Sequence, residues 1–296
     1  MLPENILITG PTGLIGSHLT KLLDKEGFKI FTLGRTPVTS LKSVTHIPVD
    51  FSNDWETDIL PGEIDTIIHL AQSENFRLFP EKASEVFAVN TLSTMKLIDY
   101  AVKNKVGRFI YASSAGIYGN SNDGFNEESD IIYNNELGFY LGTKHCSEVI
   151  LENYMSLLKV IMLRFFFVYG KGQGQDMLIP RLAGFIKNGD AITLQEEDGI
   201  RINPIYVDDA VSAIRSAMNL ESSYKINVAG PNILSLKEIG NIIGEAIHKP
   251  PLFNVEHKKA KHLIGDTQKM SQLLGAPLTS FKEGFNSIAN NYKNAE

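Results

Sequence analysis

The sequence predicts an α/β protein with a Rossmann-like, doubly wound parallel sheet and a smaller C-terminal substrate lobe. Short apolar runs alternate with amphipathic segments of helical period along the first half of the chain. A glycine-rich turn follows the first apolar run and opens the first helical segment. Strands that are apolar throughout and separated by helices are typical of a parallel sheet covered on both faces.

The predicted elements can be read from these two patterns. The predicted strands are Ile6–Thr9, Phe28–Leu33, Thr45–Val49, Thr66–Leu70, Arg108–Ala112 and Val160–Val168. The predicted helices are Leu14–Lys25, Ser84–Asn104 and Phe139–Leu158. Past Tyr169 the pattern changes to loops and mixed signals, in which Tyr224–Val228 reads as a strand that returns to the main sheet. The expected dinucleotide-binding domain is residues 1–168, completed by about 205–230, and the expected substrate lobe is residues 169–204 and 231–296.

Composition excludes several classes of protein. The chain has 296 residues and a formal charge of −6, with no basic run that would indicate a nucleic-acid or membrane-surface binder. Its one cysteine, Cys146, forms no intrachain disulfide and is expected to be a packed thiol. No signal segment precedes the first strand, so a cytoplasmic protein without a membrane partner is expected. The histidines lack metal-ligand spacing, which predicts no metal site.

The turn after the first strand has glycines at the spacing G-x-x-G-x-x-G. Glycine gives a tight turn, a close approach of backbone N–H groups to phosphate, and close packing of helix on strand. The positive end of the following helix points at the anion. The turn is therefore predicted to bind the pyrophosphate of a nicotinamide dinucleotide. The predicted contacts are Gly10, Thr12, Gly13, Leu14, Ile15 and Gly16.

The end of the second strand indicates which dinucleotide is bound. NAD-binding proteins usually carry an acid there, which holds the adenosine ribose. This chain has Arg35 and no acid at that point. A guanidinium pairs with a 2′-phosphate or stacks on adenine, so NADP is predicted, with NAD as the alternative. If Arg35 is only a solvated loop residue, the choice stays open.

Tyr140 and Lys144 lie four residues apart and therefore share one face of a predicted helix. A free phenol titrates too high to act as a base at neutral pH, and a nearby ammonium favours the phenolate. Tyr140 could then exchange a proton with a sugar hydroxyl or ketone during hydride transfer. Ser114, at the carboxyl end of the fifth strand, is placed to hydrogen bond to the same oxygen.

At this point the sequence resembles the extended short-chain dehydrogenase/reductases, and among them the NAD(P)-dependent nucleotide-sugar epimerase/dehydratase group. The resemblance covers nearly the whole chain. It is carried by Thr9-Gly10-Pro11-Thr12-Gly13-Leu14-Ile15-Gly16, Val49-Asp50, Ile68-His69-Leu70-Ala71, Asn90-Thr91, Ser113-Ser114-Ala115-Gly116-Ile117-Tyr118-Gly119, Tyr140 with Lys144, Leu163-Arg164, Val168-Tyr169-Gly170, and Arg201 before Ile205-Tyr206-Val207-Asp208-Asp209.

The resemblance implies a role for each of several residues. Ser114, Tyr140 and Lys144 would form the catalytic triad, with Lys144 also holding the nicotinamide ribose. Asp50 would bind the adenine amino group. The remaining implied roles are cofactor contact by the backbone of Leu70 and Ala71, bracing of the helix and an active-site water by Asn90, and binding of the substrate diphosphate by Arg201. A homodimer through the Asn90 and Tyr140 helices is usual in the family.

Two departures from the family pattern concern the substrate. Phe167 stands where the family usually has an asparagine near the substrate phosphates, and Gln72 replaces the usual second alanine after the fourth strand. Both are expected to face the substrate. A dehydratase would need an acid/base pair beside the catalytic serine, and Ala115-Gly116 supplies neither.

The sequence therefore predicts hydride transfer at C4 of a nucleotide-diphosphate sugar, with Tyr140 as acid/base. Two reactions remain open, namely C4 epimerisation and reduction of a 4-keto sugar. Arg35 and the compact C-terminal lobe favour NADPH and so make reduction a serious alternative. A third alternative is an NADP-binding regulatory or sensor protein of the same fold without turnover.

Overall fold

The structure is a computed structural model that describes residues 4–38, 41, 43–132 and 137–293. The chain divides into two compact units, each built from several segments. The first unit comprises residues 1–117, 131–164 and 214–226, and the second comprises residues 118–130, 165–213 and 227–296.

Strands and helices alternate along the described chain. The strands are β1 Asn5–Thr9, β2 Lys29–Gly34, β3 Val44–Pro48, β4 Thr66–His69, β5 Arg108–Ser114, β6 Lys159–Phe165, β7 Val168–Tyr169, β8 Ala191–Gln195, β9 Arg201–Ile202, β10 Ile205–Tyr206, β11 Tyr224–Val228, β12 Leu234–Ser235 and β13 Leu252–Glu256. The helices are α1 Leu14–Lys25, α2 Ala83–Phe87, α3 Ser93–Lys103, α4 Gly138–Glu152, α5 Leu178–Asn188, α6 Val207–Ala217, α7 Leu236–Ile247, α8 Gln268–Leu273 and α9 Phe281–Ile288.

The first unit is built on a seven-stranded sheet of order β11-β6-β5-β4-β1-β2-β3. The neighbouring pairs from β3 to β5 are parallel, so the carboxyl ends of β1, β2, β4 and β5 share one edge. The order reverses after β1–β2–β3, as in the doubly wound architecture, in which ligands bind at the carboxyl edge. The predicted parallel sheet is confirmed, and Tyr224–Val228 is its edge strand beside β6.

Two predicted elements end earlier in the structure than in the sequence pattern. The run Val160–Val168 is broken because Phe167 adopts φ +43, which interrupts the extended backbone after β6. The helix predicted over Phe139–Leu158 stops at Glu152. The side chain of Asn153 there donates to the carbonyl of Val149 at 2.8 Å and caps the last turn.

The long helix predicted before β5 contains a turn of wider winding. A π-helical turn, Ala88–Leu92, joins α2 to α3 and places Asn90 at its centre. Such turns occur mostly as local insertions in α-helices, and often at functional sites. Periodicity alone does not reveal the turn, because the apolar face continues through it.

The second unit has small sheets and its own apolar core. Strand pairs β7–β10, β9–β12 and β8–β13 are each two-stranded. Capping boxes begin α7 and α9, in which Ser235 pairs with Glu238 and Ser280 pairs with Glu283. The core packs α5, α7 and α9 together through Leu182, Ile239 and Phe285.

A buried ion pair anchors α4 to β6 within the first unit. The guanidinium of Arg164 donates to the carboxylate of Glu148 from Nε at 3.0 Å and from Nη2 at 2.7 Å. Arg164 is 2% exposed and Glu148 is fully buried. Charges removed from water in this way are stable only together, since one alone would be left uncompensated.

We expect Glu148→Ala to lower the free energy of unfolding by about 3–5 kcal/mol, because it leaves the Arg164 charge buried without its partner. The double variant Glu148→Leu/Arg164→Met should recover most of this loss. Urea unfolding measures both. Asp99→Asn is the matched control, because its ion pair with Lys103 is exposed and should contribute less than about 1 kcal/mol. Equal losses in the Glu148 and Asp99 variants would contradict the assignment.

Candidate active site

The glycine turn lies at the carboxyl end of β1, against the end of β4. Gly10 has φ +65, and a Cβ there would lie 3.0 Å from the Ala71 backbone. A Cβ on Gly16 would lie 2.1 Å from the carbonyl oxygen of Gly10. Both positions therefore need glycine for reasons of backbone packing, independently of any ligand.

The amino end of α1 fits a pyrophosphate. Gly13 is the N-cap residue, no side chain caps the helix, and its first turn contains no acid. The first amides of a helix have no acceptor within it, so those of Leu14 and Ile15 remain available to an anion. Thr12 and Gly13 are exposed beside them. The chain therefore offers a cradle for the diphosphate of a dinucleotide.

His69, the last residue of β4, ties the strand ends to the π-helical turn. Its Nδ1 lies 2.7 Å from the hydroxyl of Thr9, and its Nε2 lies 3.0 Å from that of Thr94. The Thr9 oxygen accepts from the backbone amides of Leu70 and Ala71, so its own proton goes to Nδ1. The Thr94 proton goes to the carbonyl of Asn90, which leaves Nε2–H of His69 as the donor to Thr94.

This arrangement fixes His69 as a neutral imidazole. Burial, together with the charge of Lys144, lowers the pKa of His69 to about 3. The ring is fully buried. His69 is therefore a structural hydrogen-bonding residue.

Asn90 connects the π-helical turn to the helix that carries the tyrosine and lysine. Its Oδ1 accepts from the backbone N–H of Ser73 at 3.0 Å, and its Nδ2 donates to the hydroxyl of Thr143 at 2.9 Å. Ser147, one turn further along α4, donates to the Asn90 carbonyl. Because Asn90 is fully buried, its geometry supports the bracing role, and a direct contact with the cofactor stays a prediction.

Tyr140 hydrogen bonds to Gln72, and Ser114 acts on the same phenol. The backbone N–H of Gly116 donates to Ser114 Oγ at 3.3 Å, and the Ser114 hydroxyl lowers the pKa of Tyr140. The Tyr140 hydroxyl donates to Oε1 of Gln72 at 2.7 Å. Burial raises the pKa of Tyr140 above its ordinary value, and the Ser114 hydrogen bond opposes this. Tyr140 is therefore a neutral phenol in this structure.

Lys144 is buried one turn beyond Tyr140 on α4. Its Nζ donates to the carbonyl of Ala112 at 2.9 Å and lies 5.0 Å from the centre of the Tyr111 ring. Burial lowers the pKa of Lys144 to about 8, and the carboxylate of Glu148 opposes the shift. Lys144 therefore remains mostly protonated at neutral pH and brings a positive charge to the interior near Tyr140.

The loop after β4 covers Tyr140 with aromatic side chains. The ring of Phe76 lies 4.9 Å from the Tyr140 ring, and Arg77 stacks on Phe76 at 4.5 Å. Phe79 stacks on Phe139, the residue before Tyr140, at 5.0 Å. Gln72 therefore lies in a loop that packs on the amino end of α4.

Arg35, at the end of β2, is shared between two carboxylates. Its Nη2 lies 3.1 Å from Oε1 of Glu74, and both side chains are exposed. Asp50 accepts hydrogen bonds from the Ser52 hydroxyl and backbone, which hold its pKa below the ordinary value, and the charge of Arg35 adds to this. These three residues, at the edge where the adenosine is expected, carry a net charge of −1.

The two remaining predicted substrate residues belong to the second unit. Phe167 adopts φ +43 and packs partly buried against the core of that unit. Arg201 is exposed at the start of β9, and its backbone N–H donates to Nδ1 of His262 at 3.0 Å. Their roles at the substrate stay predictions.

Comparison with known proteins identifies the family. The model of the NAD dependent epimerase/dehydratase family matches residues 6–229. The chain belongs to this family. The predicted resemblance is thereby confirmed, and the protein is an enzyme of the extended short-chain dehydrogenase/reductase type.

Relatives of this epimerase/dehydratase chain cover most of its length. GDP-6-deoxy-D-talose 4-dehydrogenase of Aggregatibacter actinomycetemcomitans is 29% identical over 91% of each chain. A probable UDP-glucuronate 4-epimerase of Rhizobium meliloti is 29% identical over 75% of this chain and 70% of its own. The solved structure of MoeE5 in complex with UDP-glucuronic acid and NAD is 27% identical, covers 95% of this chain and 96% of its own, and has a TM-score of 0.81.

Several features of this family member differ from the sequence prediction or were missed by it. Cys146, expected to be packed, is exposed. Glu74 and Phe76 were missed, and their only signal in the sequence is a position just after a strand at the ligand-binding edge. Within the described residues, no cluster of three metal-binding side chains occurs, and no helix has the length and hydropathy that crossing a bilayer requires.

We expect the stability that neutral His69 provides to fall as the pH falls. In the folded enzyme its pKa is about 3, whereas the unfolded chain takes up the proton near pH 6.5, so acid favours the unfolded state between these values. Relative to His69→Gln, the wild type should lose about 1.4 kcal/mol more per pH unit between roughly pH 6 and 4. Chemical unfolding at several pH values measures this difference. Parallel slopes would show that His69 titrates normally in the fold.

Proposed function

We propose that this enzyme transfers hydride at C4 of a nucleotide-diphosphate sugar, with Tyr140 as the acid/base. The observation that carries the proposal is the Tyr140 hydroxyl at the carboxyl edge of the sheet, hydrogen bonded to Gln72 and with its pKa lowered by Ser114, with Lys144 buried one turn away. A regulatory protein without turnover would have no use for a buried ammonium beside a tyrosine, because such a group is costly to bury.

The relatives support carbon 4 as the reacting position. One relative is named as a 4-dehydrogenase and another as a probable 4-epimerase, so both names refer to the same sugar carbon. The MoeE5 structure holds UDP-glucuronic acid together with NAD, which supports a nucleotide-diphosphate sugar as the substrate class. Phe167 and Arg201 in the second unit are proposed to contact that substrate.

The side chains divide the proton chemistry between them. Tyr140 gives its proton to a ketone oxygen, or takes one from an alcohol, and Ser114 donates a hydrogen bond to the same oxygen. The Lys144 charge stabilises the phenolate that forms when Tyr140 gives up its proton. A bound nicotinamide supplies the hydride exchange, once for reduction of a 4-keto sugar and twice for an epimerase. Net consumption of NADPH therefore separates the two reactions.

The cofactor is proposed to lie along the edge that the glycine turn opens. Backbone amides at Leu14 and Ile15 would hold the pyrophosphate, and Asp50 would bind the adenine. The backbone of Leu70 and Ala71 would follow the cofactor past Gly10. Arg35 would contact the adenosine ribose, and the preference for NADP stays a prediction.

A homodimer through α3 and α4 also stays a prediction. Exposed apolar side chains on the α2–α3 segment and on α4 support it, because such side chains are normally covered in an oligomer. They are Phe87, Leu92, Met95 and Val149.

We expect Tyr140→Phe to reduce turnover of the nucleotide sugar by about 10²–10⁴-fold, since it removes the exchanging proton and preserves the ring. Binding of the dinucleotide, followed by nicotinamide fluorescence, should remain unchanged. Tyr154→Phe is the matched control, because that hydroxyl is exposed, makes a long hydrogen bond of 3.9 Å to the sulfur of Met95, and should be dispensable. If Tyr140→Phe retains full turnover, the proposed acid/base is wrong.

We expect Arg35→Ala to weaken NADPH binding about tenfold while changing NADH binding little, because only NADPH offers a 2′-phosphate to the guanidinium. Glu74→Gln should strengthen NADPH binding, since it frees Arg35 and removes a repelling charge. Fluorescence titration with both nucleotides measures each constant. An equal change for NADH and NADPH in both variants would exclude Arg35 as the selective group.

A further inference from the structure

Gln72 accepts the hydroxyl proton of Tyr140. The Tyr140 hydroxyl donates to Oε1 of Gln72 at 2.7 Å, while Ser114, which accepts from the backbone N–H of Gly116, lowers the pKa of the same phenol. A carbonyl oxygen in this place stabilises the phenol, because it accepts the proton that the phenolate lacks. The sequence prediction assigned Gln72 to the substrate instead.

We propose that Gln72 is a positioning residue for Tyr140, which holds the phenol protonated and in place until the substrate oxygen replaces the amide. The inference rests on the proposed function for its catalytic meaning. The hydrogen bond from Tyr140 to Gln72 belongs to the enzyme without substrate and does not depend on any particular sugar.

The loop that carries Gln72 is held firmly enough for this role. Ser73 donates its backbone N–H to Asn90, and Asn75 donates to the carboxylate of Glu85 at 2.8 Å. Phe76 packs on the Tyr140 ring at 4.9 Å. The amide of Gln72 is therefore attached to a loop that is held by the π-helical turn, by α2 and by α4.

The ionisable groups near Tyr140 act in opposite directions. Lys144 on the same helix favours the phenolate through its charge. Tyr111 on β5 is buried, and it and Tyr140 each disfavour ionisation of the other. From the covering loop, Arg77 lies over Phe76 rather than over the Tyr140 hydroxyl. Gln72 adds a neutral acceptor to this set, so its removal should ease ionisation without changing the total charge.

Because Gln72 stabilises the neutral phenol, Tyr140 starts each catalytic cycle as a proton donor. When a ketone oxygen displaces Oε1 of Gln72, the O–H bond of Tyr140 breaks, its proton passes to that oxygen, and the phenolate remains beside Lys144. In the oxidative direction the same proton returns to the phenolate. Gln72 therefore raises the pH at which Tyr140 changes from donor to base.

The test is a direct titration of Tyr140 in the full-length enzyme. The near-ultraviolet absorbance of phenolate is followed with pH. For each protein, the curve measured after adding Tyr140→Phe is subtracted from the curve measured without it, which removes the signal of the other nine of the ten tyrosines. In Gln72→Ala the pKa of Tyr140 should fall by about one unit, the scale of one neutral hydrogen bond. In Gln72→Glu it should rise, because a carboxylate repels the phenolate.

Asn75→Ala is the matched control, because it loosens the same loop without touching Tyr140. The proposal fails if neither Gln72 variant moves the titration, or if Asn75→Ala moves it as far as Gln72→Ala does. The same shift should appear in the pH dependence of kcat/KM where turnover is measured. Since the titration needs no substrate, an enzyme inactive on nucleotide sugars would overturn the proposed function and leave the result for Gln72 standing.

Discussion

The neutral imidazole of His69 is the constraint on which the rest of the first unit depends. It joins the end of β1 through Thr9 to the π-helical turn through Thr94, and from there Asn90 reaches α4. Each hydroxyl in this path has its proton committed to one acceptor, so every donor has one direction. The wider π-helical turn brings the Asn90 side chain and carbonyl to α4 together. The glycine turn and the tyrosine helix are thereby positioned by one buried network.

The burial of Lys144 imposes a second constraint on the residues around it. An ammonium in the interior is tolerated only where opposite charge and hydrogen bonds compensate its lost hydration. Ala112 supplies the hydrogen bond and Glu148 the charge. Glu148 in turn is shared with Arg164, so the ion pair that anchors α4 to β6 also lowers the cost of keeping Lys144 protonated. Stability of the helix and the chemistry of its lysine are thus coupled through one carboxylate.

The features that could be predicted from the sequence are those that residues close together in the chain determine. Residues a few positions apart determine the glycine turn, the parallel strands and the spacing of Tyr140 and Lys144. The structure places the turn and this pair of side chains at one edge of the parallel sheet. The partners of Arg35 and Tyr140 could not be predicted, because these partners, Glu74 and Gln72, lie in a loop that is distant from them in the sequence. The wider turn at Asn90 was hidden as well, since its apolar face continues without a break.

Phe167 shows how a departure from the family pattern can be read physically. The backbone there has φ +43, a conformation that asparagine adopts readily and that strains a bulky residue by about 1–3 kcal/mol. In this chain the residue with that backbone conformation carries an aromatic ring. Such strain persists only where the surroundings hold it in place, and the core of the second unit does so through its packing on Phe167. Packing within the second unit thus holds the aromatic ring of Phe167 on this chain path, and its contact with the substrate stays a prediction.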